Sequence, residues 1–169
     1  MASKLFPTEY YNSTYSIDFE KYYRLGYRGI IFDIDNTLVP HNAPQDARSK
    51  ELFKKLNEIG YKVCFVSNNK EPRVKSFNKD VGGSYVFKAN KPSPKGYIKA
   101  MNNMGTTREN TLFIGDQIFT DIWGANNAKL HSILVKQIDK KEEIQIVLKR
   151  IIEKPIIALY LTKHKMKTK

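Results

Sequence analysis

The sequence has little cysteine and no long apolar run, and both absences narrow what the protein can be. Cys64 is the only cysteine among 169 residues, so no disulfide can form within the chain and a reducing compartment fits best. No stretch approaches the roughly 20 apolar residues that a membrane-spanning helix needs. The first residues contain no apolar segment typical of a signal peptide. We therefore expect a cytoplasmic protein.

Acidic residues are scarce relative to basic ones. The chain carries 29 Lys and Arg against 17 Asp and Glu, which gives a formal net charge of +12. This excess favours an anionic partner, such as a phosphorylated substrate, a lipid headgroup or a nucleic acid. A compositional bias toward lysine explains it equally well. Residues 136–169 hold ten basic and four acidic residues, so half of the excess lies near the C-terminal end.

Short apolar runs alternate with amphipathic stretches along the chain. Five runs predict buried strands, because they are rich in β-branched and aromatic residues and are bounded by turn formers. They are residues 29–33, 62–67, 84–88, 111–116 and 132–136. Residues 45–60 and 92–105 predict helices, each with one apolar face and a final glycine. This alternation predicts an α/β fold with a parallel sheet covered by helices on both faces.

The segments before and after this core are harder to interpret from the sequence. We predict one domain over residues 1–169, with a core at 29–136, a helical N-terminal segment at 1–28, and a C-terminal helix with a basic tail at 137–169. The last segment repeats apolar residues at helical spacing, namely Ile144, Val147, Leu148, Ile151 and Ile152. Such a face beside lysines can lie on an anionic membrane surface. We favour the alternative that this face packs on the core and that the tail is solvated.

Polar residues follow the predicted strands at the points where the strands end. Asp33 ends the first strand, Ser67 the second and Asp116 the fourth, and Lys91 follows the third after a short loop. In parallel sheets, ligands bind beyond the carboxyl ends of the strands, where the strand order reverses. We therefore expect these four side chains to converge on one edge of the sheet.

The carboxylates in this set predict a metal site. Asp33 and Asp35 are two residues apart in an extended segment and point to the same side. Two carboxylates this close repel each other unless a cation lies between them. Asp116 and Asp121 bring further oxygen ligands, and an all-oxygen set suits Mg²⁺. The sequence therefore predicts a magnesium ion as the cofactor.

The other polar residues indicate phosphoryl transfer. Lys91 supplies a positive charge for a phosphoryl group, and Ser67 supplies a hydroxyl donor. Together with a carboxylate nucleophile and Mg²⁺, they describe transfer through an aspartyl-phosphate. We predict that Asp33 attacks phosphorus, and that Asp35 protonates the leaving oxygen and then activates water. Backbone N–H groups of residues 33–37 would stabilise the charge on the phosphoryl oxygens.

Four short motifs connect this pattern with a known superfamily. They are "DIDNT" (33–37), "SNN" (67–69), "NKP" (90–92) and "GDQIFTD" (115–121). With these motifs in this order, the sequence resembles the haloacid dehalogenase superfamily over residues 29–136. The resemblance implies a Rossmann-like core. It also implies a phosphatase, because the acid/base position is occupied by an aspartate, Asp35.

The resemblance implies a role for each motif residue. Asp33 would be the nucleophile and Asp35 the general acid and base. The magnesium ligands would be Asp33, the backbone carbonyl of Asp35 and Asp116, with Asp121 supporting the site. The phosphate-binding residues would be Thr37, Ser67, Asn68 and Lys91.

Longer stretches narrow the resemblance. "FDIDNTLVPHNAP", "NKPSPKG" and "IGDQIFTDIWGANNA" are similar to subfamily IIIA phosphatases of the YqeG type, which are related to phosphatidylglycerophosphate phosphatases. This implies an anionic lipid phosphomonoester as substrate, with peripheral contact at the inner face of the membrane. Two alternatives stay open. One is a phosphatase for a soluble nucleotide or sugar phosphate. The other is a basic nucleic-acid-binding protein with a vestigial site, against which the intact motif residues argue.

The segments between the motifs are short. Residues 38–45 follow the first motif, and residues 70–89 separate the second motif from the third. Neither segment has the length of the cap domain that covers small substrates in many members of the superfamily. We therefore predict an enzyme without a cap, whose site is open to water unless a partner or a second copy in a homo-oligomer covers it.

Overall fold

Six parallel strands form one sheet in the computed structural model of the chain, which describes residues 2–140 and 143–164. The strands are β1 (Glu9–Tyr11), β2 (Gly29–Phe32), β3 (Lys62–Val66), β4 (Ser84–Val86), β5 (Thr111–Gly115) and β6 (His131–Val135). Their order across the sheet is β1-β6-β5-β2-β3-β4. The five predicted strands are therefore present, and the sheet is parallel as predicted.

Within the described residues, six α-helices connect and flank these strands. They are α1 (Phe19–Arg24), α2 (Ala47–Ile59), α3 (Glu71–Asn78), α4 (Lys95–Met104), α5 (Trp123–Asn127) and α6 (Ile144–His164). Asp46 caps α2, since its carboxylate accepts a hydrogen bond from the N–H of Ser49 at 2.7 Å. Helices α2 and α4 end at Gly60 and Gly105, whose left-handed conformations allow the chain to leave the helix.

Two apolar clusters cover the two faces of the sheet. Alternate residues of a strand point to opposite faces, so Ile30 and Phe32 pack with α2 and α3 on one face. Ile31 points to the other face and packs with α4 and α5. All three of these side chains are fully buried. The chain thus folds as the predicted three-layer αβα, Rossmann-like domain, and no cap domain interrupts its described residues.

The strand order locates the functional edge of the sheet. From β2 the chain moves outward through β3 to β4, and it then returns to the other side of β2 to add β5 and β6. The order therefore reverses between β2 and β5, which is the position where open α/β sheets bind ligands. Asp33 directly follows β2, and Asp116 directly follows β5.

The N-terminal segment differs from its prediction. Residues 1–28 are predicted to be helical, and they do contain α1, but β1 pairs with β6 and adds a sixth strand to the sheet. A three-residue strand is too short to show a periodic pattern. Its pairing also depends on residues more than 120 positions away, such as Ile133 opposite Glu9. Local sequence therefore does not reveal it.

Helix α6 packs on the core with a different face from the one predicted. The predicted packing face is exposed to solvent; it consists of Ile144, Val147, Leu148, Ile151 and Ile152, which are 37–75% exposed. The helix instead buries Glu153 and Tyr160, and it packs Ile156 and Ile157 against the cluster around Ile118. The favoured interpretation of the sequence is therefore wrong for this face. The basic tail at 165–169 lies outside the described residues.

Candidate active site

The first motif forms a tight turn at the end of β2. The N–H of Asp33 still donates to Ile114 on β5 at 2.9 Å, so the carboxylate is fixed at the edge of the sheet. Asn36 then adopts a left-handed conformation with a φ of 63°, which asparagine tolerates better than most residues. Its N–H donates to the carbonyl of Val39 at 2.7 Å. The chain therefore reverses directly after Asp35.

Three aspartates form a buried cluster at this edge. One carboxylate oxygen from each of Asp33, Asp116 and Asp121 lies within 4.8 Å of the others, and each residue is at most 8% exposed. Burial raises the pKa of Asp33 to about 7, and it raises the pKa of Asp116 well above its usual range. Oxygen ligands at this spacing fit around one hard divalent cation, which would offset their mutual repulsion. The cluster therefore has the ligand set of a divalent metal site.

Lys91 supplies a positive charge to the same cluster. Its Nζ lies 2.7 Å from Asp33 Oδ1 and 2.6 Å from Asp121 Oδ1. Burial lowers the pKa of Lys91, but the charges of Asp121 and Asp33 raise it by more, so its net pKa is well above the ordinary value. The side chain of Asn68 fixes the backbone of Lys91, accepting from its N–H at 2.7 Å. Lys91 is therefore held as an ammonium against the carboxylates.

Asp121 is positioned by the backbone of the fourth motif. Its Oδ2 accepts from the N–H groups of Asp116 at 3.2 Å and of Gln117 at 3.1 Å. Asp121 lies in a π-helical turn, Ile118–Ile122, a rare geometry that is frequent at functional sites. A Cβ atom at Gly115 would come within 2.7 Å of the Asp121 side chain. Glycine at this position therefore lets the carboxylate approach the backbone.

Asp35 lies beside the cluster but outside it. Its Oδ1 accepts from the N–H of Asn42 at 2.7 Å and from Arg73 at 2.8 Å. Its Oδ2 accepts from Asn69 at 2.6 Å. Asp33 and Asp35 both line one cavity. The assignment of the Asp35 backbone carbonyl as a metal ligand stays a prediction.

That cavity holds most of the residues that the motifs predict. It has a volume of about 210 Å³, and the residues in its wall to which the sequence assigns a role are Asp33, Asp35, Ser67, Asn68 and Lys91. Ser67 is buried, and its Oγ accepts from the N–H of Asn69 at 3.1 Å. Thr37 is placed differently, because its hydroxyl lies 3.2 Å from Asp33 Oδ2 and 3.1 Å from Asp116 Oδ1. It therefore contacts two carboxylates of the cluster, and its assignment to phosphate binding stays a prediction.

Helix α6 contributes residues to the site that the motifs do not include. Three residues form part of the cavity wall, namely Glu143, which directly precedes the helix, and Ile146 and Lys149 in its first two turns. The site is therefore less open than we expect for an enzyme without a cap, because the chain's own C-terminal helix covers one side.

Two charged residues connect α6 directly to the fourth motif. Arg150 forms an ion pair with Asp116, and it also donates to the backbone carbonyl of Asp116 at 2.5 Å. Glu153 is buried and accepts from the N–H groups of Ile118 at 2.8 Å and Phe119 at 3.2 Å. The only sequence signal for these contacts is the pair of opposite charges three positions apart in an apolar segment.

Known proteins with similar sequences include hydrolases and phosphatases. Residues 41–129 match the haloacid dehalogenase-like hydrolase family. The chain is 37% identical over 160 residues to the probable phosphatase YqeG of Bacillus subtilis (strain 168), covering 94% of this chain and 93% of that protein. It is 26% identical over 148 residues to phosphatidylglycerophosphate phosphatase 1, chloroplastic/mitochondrial, of Arabidopsis thaliana, covering 78% of this chain and 40% of that protein.

Solved structures share the fold at low sequence identity. One is the cobalt-bound deoxy-D-mannose-octulosonate 8-phosphate phosphatase YrbI of Haemophilus influenzae, with a TM-score of 0.53, 18% identity, and coverage of 65% of this chain and 68% of that chain. Another is a haloacid dehalogenase superfamily hydrolase of Ehrlichia chaffeensis, with a TM-score of 0.52, 19% identity, and coverage of 76% and 97%. The family match over half of this chain and the similarity to the Bacillus protein show that it belongs to the haloacid dehalogenase-like hydrolases and is a phosphatase.

Proposed function

We propose that the protein hydrolyses a phosphomonoester through an aspartyl-phosphate on Asp33, with Mg²⁺ as cofactor. The observation that carries this proposal is the position of the Asp33 carboxylate. It lines the cavity, contacts Lys91 at 2.7 Å and belongs to the cluster with Asp116 and Asp121. A nucleophilic carboxylate, a fixed ammonium and a cation site thus meet at one point.

In the first step, an oxygen of Asp33 bonds to phosphorus while the bond to the leaving oxygen breaks. The carboxylate must be ionised to attack. Burial is the largest cause that raises the pKa of Asp33, and the charge of Lys91 opposes it, so the pKa is about 7. A cation held by Asp33, Asp116 and the supporting Asp121 would neutralise charge on the carboxylates and on the phosphoryl oxygens. Ser67, Asn68 and Lys91 would bind the phosphoryl group.

Asp35 would move the protons in both steps. It donates a proton to the leaving oxygen in the first step. It then removes a proton from the water that attacks phosphorus, which releases phosphate and restores the Asp33 carboxylate. The hydrogen bonds from Asn69 and Arg73 fix the orientation of Asp35 for this exchange.

For the substrate we propose an anionic lipid phosphomonoester, such as phosphatidylglycerophosphate. The similarity to a phosphatase of that name and the net charge of +12 support this choice. Among the described residues, the structure contains no helix that could span a membrane. We also propose a cytoplasmic protein that meets its substrate at the inner membrane face. The alternative is a soluble nucleotide or sugar phosphate, which the small cavity of about 210 Å³ favours. Assembly into a homo-oligomer stays a prediction.

A substrate screen with a matched variant tests the proposal. The protein is assayed with Mg²⁺ on p-nitrophenyl phosphate, dispersed phosphatidylglycerophosphate, and soluble nucleotide and sugar phosphates, with and without EDTA. We expect Mg²⁺-dependent release of phosphate, fastest from the lipid. Asp33→Asn should lower turnover at least about 10⁴-fold without changing the circular dichroism spectrum. Turnover that persists in this variant or in EDTA would contradict the mechanism, and faster turnover of a soluble phosphate would contradict the lipid assignment.

A further inference from the structure

Helix α6 presents an apolar face to solvent. Its large apolar residues that are 37–75% exposed are Ile144, Val147, Leu148, Ile151, Ile152 and Leu159. At 100° per residue they form one continuous face, without a charged side chain, over about 22 Å of helix. Scattered apolar side chains are normal on a surface, whereas a contiguous patch of this kind indicates an interaction site.

The exposure of this face does not come from a detached helix. On the opposite side, Glu153 and Tyr160 are buried, and Ile156 and Ile157 pack against the cluster around Ile118. The hydroxyl of Tyr160 also donates to the carbonyl of Thr8 at 3.2 Å. The helix is therefore fixed to the sheet while its outer face has no partner within the described residues.

Lysines follow one edge of this apolar face. A groove of about 630 Å³ runs between α6 and the segment after β6, and its wall contains Val147 and Ile151 from the face. Lys136, Lys140 and Lys154 line the same groove and are exposed. None of them takes part in the ion pairs found among the described residues. Apolar side chains bordered by free ammonium groups match the layered chemistry of a membrane surface.

The charge of the protein favours a bilayer over a second copy of the chain. A symmetric dimer through this face would bring together two chains that each carry +12, with these lysines close to the contact. Anionic headgroups attract the same lysines, and acyl chains accept the apolar side chains. The one occupant that satisfies both features is an anionic lipid surface.

We propose that the outer face of α6 docks on an anionic bilayer and thereby holds the enzyme at the surface that carries its proposed lipid substrate. The first turns of the same helix form part of the cavity wall, through Ile146 and Lys149. At 100° per residue these two residues lie on the other side of the helix from the outer face, so docking would hold the enzyme at the membrane and leave the cavity uncovered. The link between docking and a lipid substrate rests on the proposed function, whereas the docking itself can be measured independently.

Vesicle sedimentation tests the docking. The wild type should bind vesicles of equimolar phosphatidylglycerol and phosphatidylcholine, should bind vesicles of pure phosphatidylcholine at least tenfold more weakly, and should be released by high salt. The triple variant Leu148→Gln/Ile151→Gln/Ile152→Gln removes apolar side chains and changes no charge. We expect it to bind the mixed vesicles at least about tenfold more weakly. Leu25→Gln is the matched control, because Leu25 is exposed and lies outside α6.

The soluble substrate separates docking from chemistry. The triple variant should hydrolyse p-nitrophenyl phosphate as fast as the wild type, because none of its three positions lines the Asp33 cavity. Equal vesicle binding by the wild type and the triple variant would overturn the docking, as would a wild-type dimer in light scattering that the triple variant dissociates. Vesicle binding by a protein inactive on every phosphate would overturn the proposed function and still support the docking.

Discussion

The aspartate cluster and the outer face of α6 both depart from the usual distribution of side chains between core and surface. The cluster buries carboxylates, whereas the outer face exposes apolar side chains. Asp33, Asp116 and Asp121 are charged or titratable groups that are at most 8% exposed. Ile144 and Leu148 on α6 are apolar and 58–75% exposed. Burying carboxylates costs free energy, and exposing apolar surface forgoes the gain from burial. A chain selected for stability alone would have neither feature.

The two regions differ in how far the protein itself compensates for this cost. The cluster is surrounded by groups that offset its charge, including Lys91, Arg150 and backbone N–H groups. The outer face of α6 has no such compensation within the described residues. The comparison teaches that the fold itself stabilises the aspartate cluster, whereas the outer face of α6 needs a partner surface from outside the chain. One helix belongs to both, since Arg150 contacts the cluster from the other side of α6.

After loss of the nucleophile, the largest effect on turnover should come from substitution of Asp35. This substitution tests whether a residue that lies outside the aspartate cluster takes part in the reaction. Asp35→Asn keeps the shape of the side chain but cannot transfer a proton. We expect turnover to fall about 10²–10⁴-fold, and to fall more for an alkyl phosphate than for p-nitrophenyl phosphate, whose leaving group needs no protonation. The values of kcat/KM for both substrates check this, because they report the first step and not the hydrolysis of the aspartyl-phosphate, which is common to both. An equal loss on both would argue against the acid role.

Substitutions at two adjacent residues of α6 allow a direct comparison of its packed face with its outer face. Glu153 is buried with two backbone donors and Arg150, whereas Ile152 is 59% exposed. Glu153→Ala removes one of the acceptors of Arg150 and the side-chain acceptor of two backbone N–H groups. We therefore expect it to lower the free energy of unfolding by roughly 3 kcal/mol. Ile152→Ala should change it by no more than about 0.5 kcal/mol. Urea denaturation measures both, and similar values for the two variants would contradict the orientation of α6.

The smallest effect concerns a hydrogen bond between partly exposed side chains of the edge strand β1 and its neighbour β6. Glu9 on β1 contacts His131 on β6 at 2.9 Å, and this hydrogen bond is the largest cause that lowers the pKa of Glu9 from 4.5 to about 2. Because the pKa is lower in the folded state, the stabilisation is present above pH 4.5 and is lost as the pH falls toward 2. Since Glu9 is partly exposed, we expect a contribution below about 1 kcal/mol.

Glu9→Gln isolates that contribution. Between about pH 6 and about pH 3, Glu9 becomes protonated in the unfolded chain but stays ionised in the folded protein. The wild type should therefore lose more unfolding free energy than the variant over this interval. Urea denaturation at both pH values measures the difference. An identical loss in the two proteins would show that the pair does not couple to folding.

The sequence predicts where these side chains lie because three motifs begin at the end of a strand and the motif with Lys91 follows a strand after a short loop. In a parallel sheet the carboxyl ends of the strands share one edge, so Asp33, Ser67, Lys91 and Asp116 must converge once the strands pair. Local patterns are sufficient for this conclusion. The short strand β1 is not predictable in this way, because its partner β6 lies far along the chain.

The orientation of α6 is also hidden in the sequence. Both faces of the helix are apolar: Ile156 and Ile157 pack inward, while Ile151 and Ile152 point outward. Helical spacing alone cannot choose between such faces. The inward face includes Arg150, whose contact with Asp116 joins residues 34 positions apart. The structure was therefore needed to distinguish the packed face from the outer one.

Trapping the phosphorylated enzyme tests the central claim most directly. The variant Asp35→Asn is mixed with p-nitrophenyl phosphate and Mg²⁺, quenched in acid and analysed by peptide mass spectrometry. The account predicts one phosphoryl group on Asp33 at a level close to one per protein, since the second step lacks its base. Rapid release of nitrophenol with no phosphoryl group on Asp33, or with the group on another residue, would contradict it.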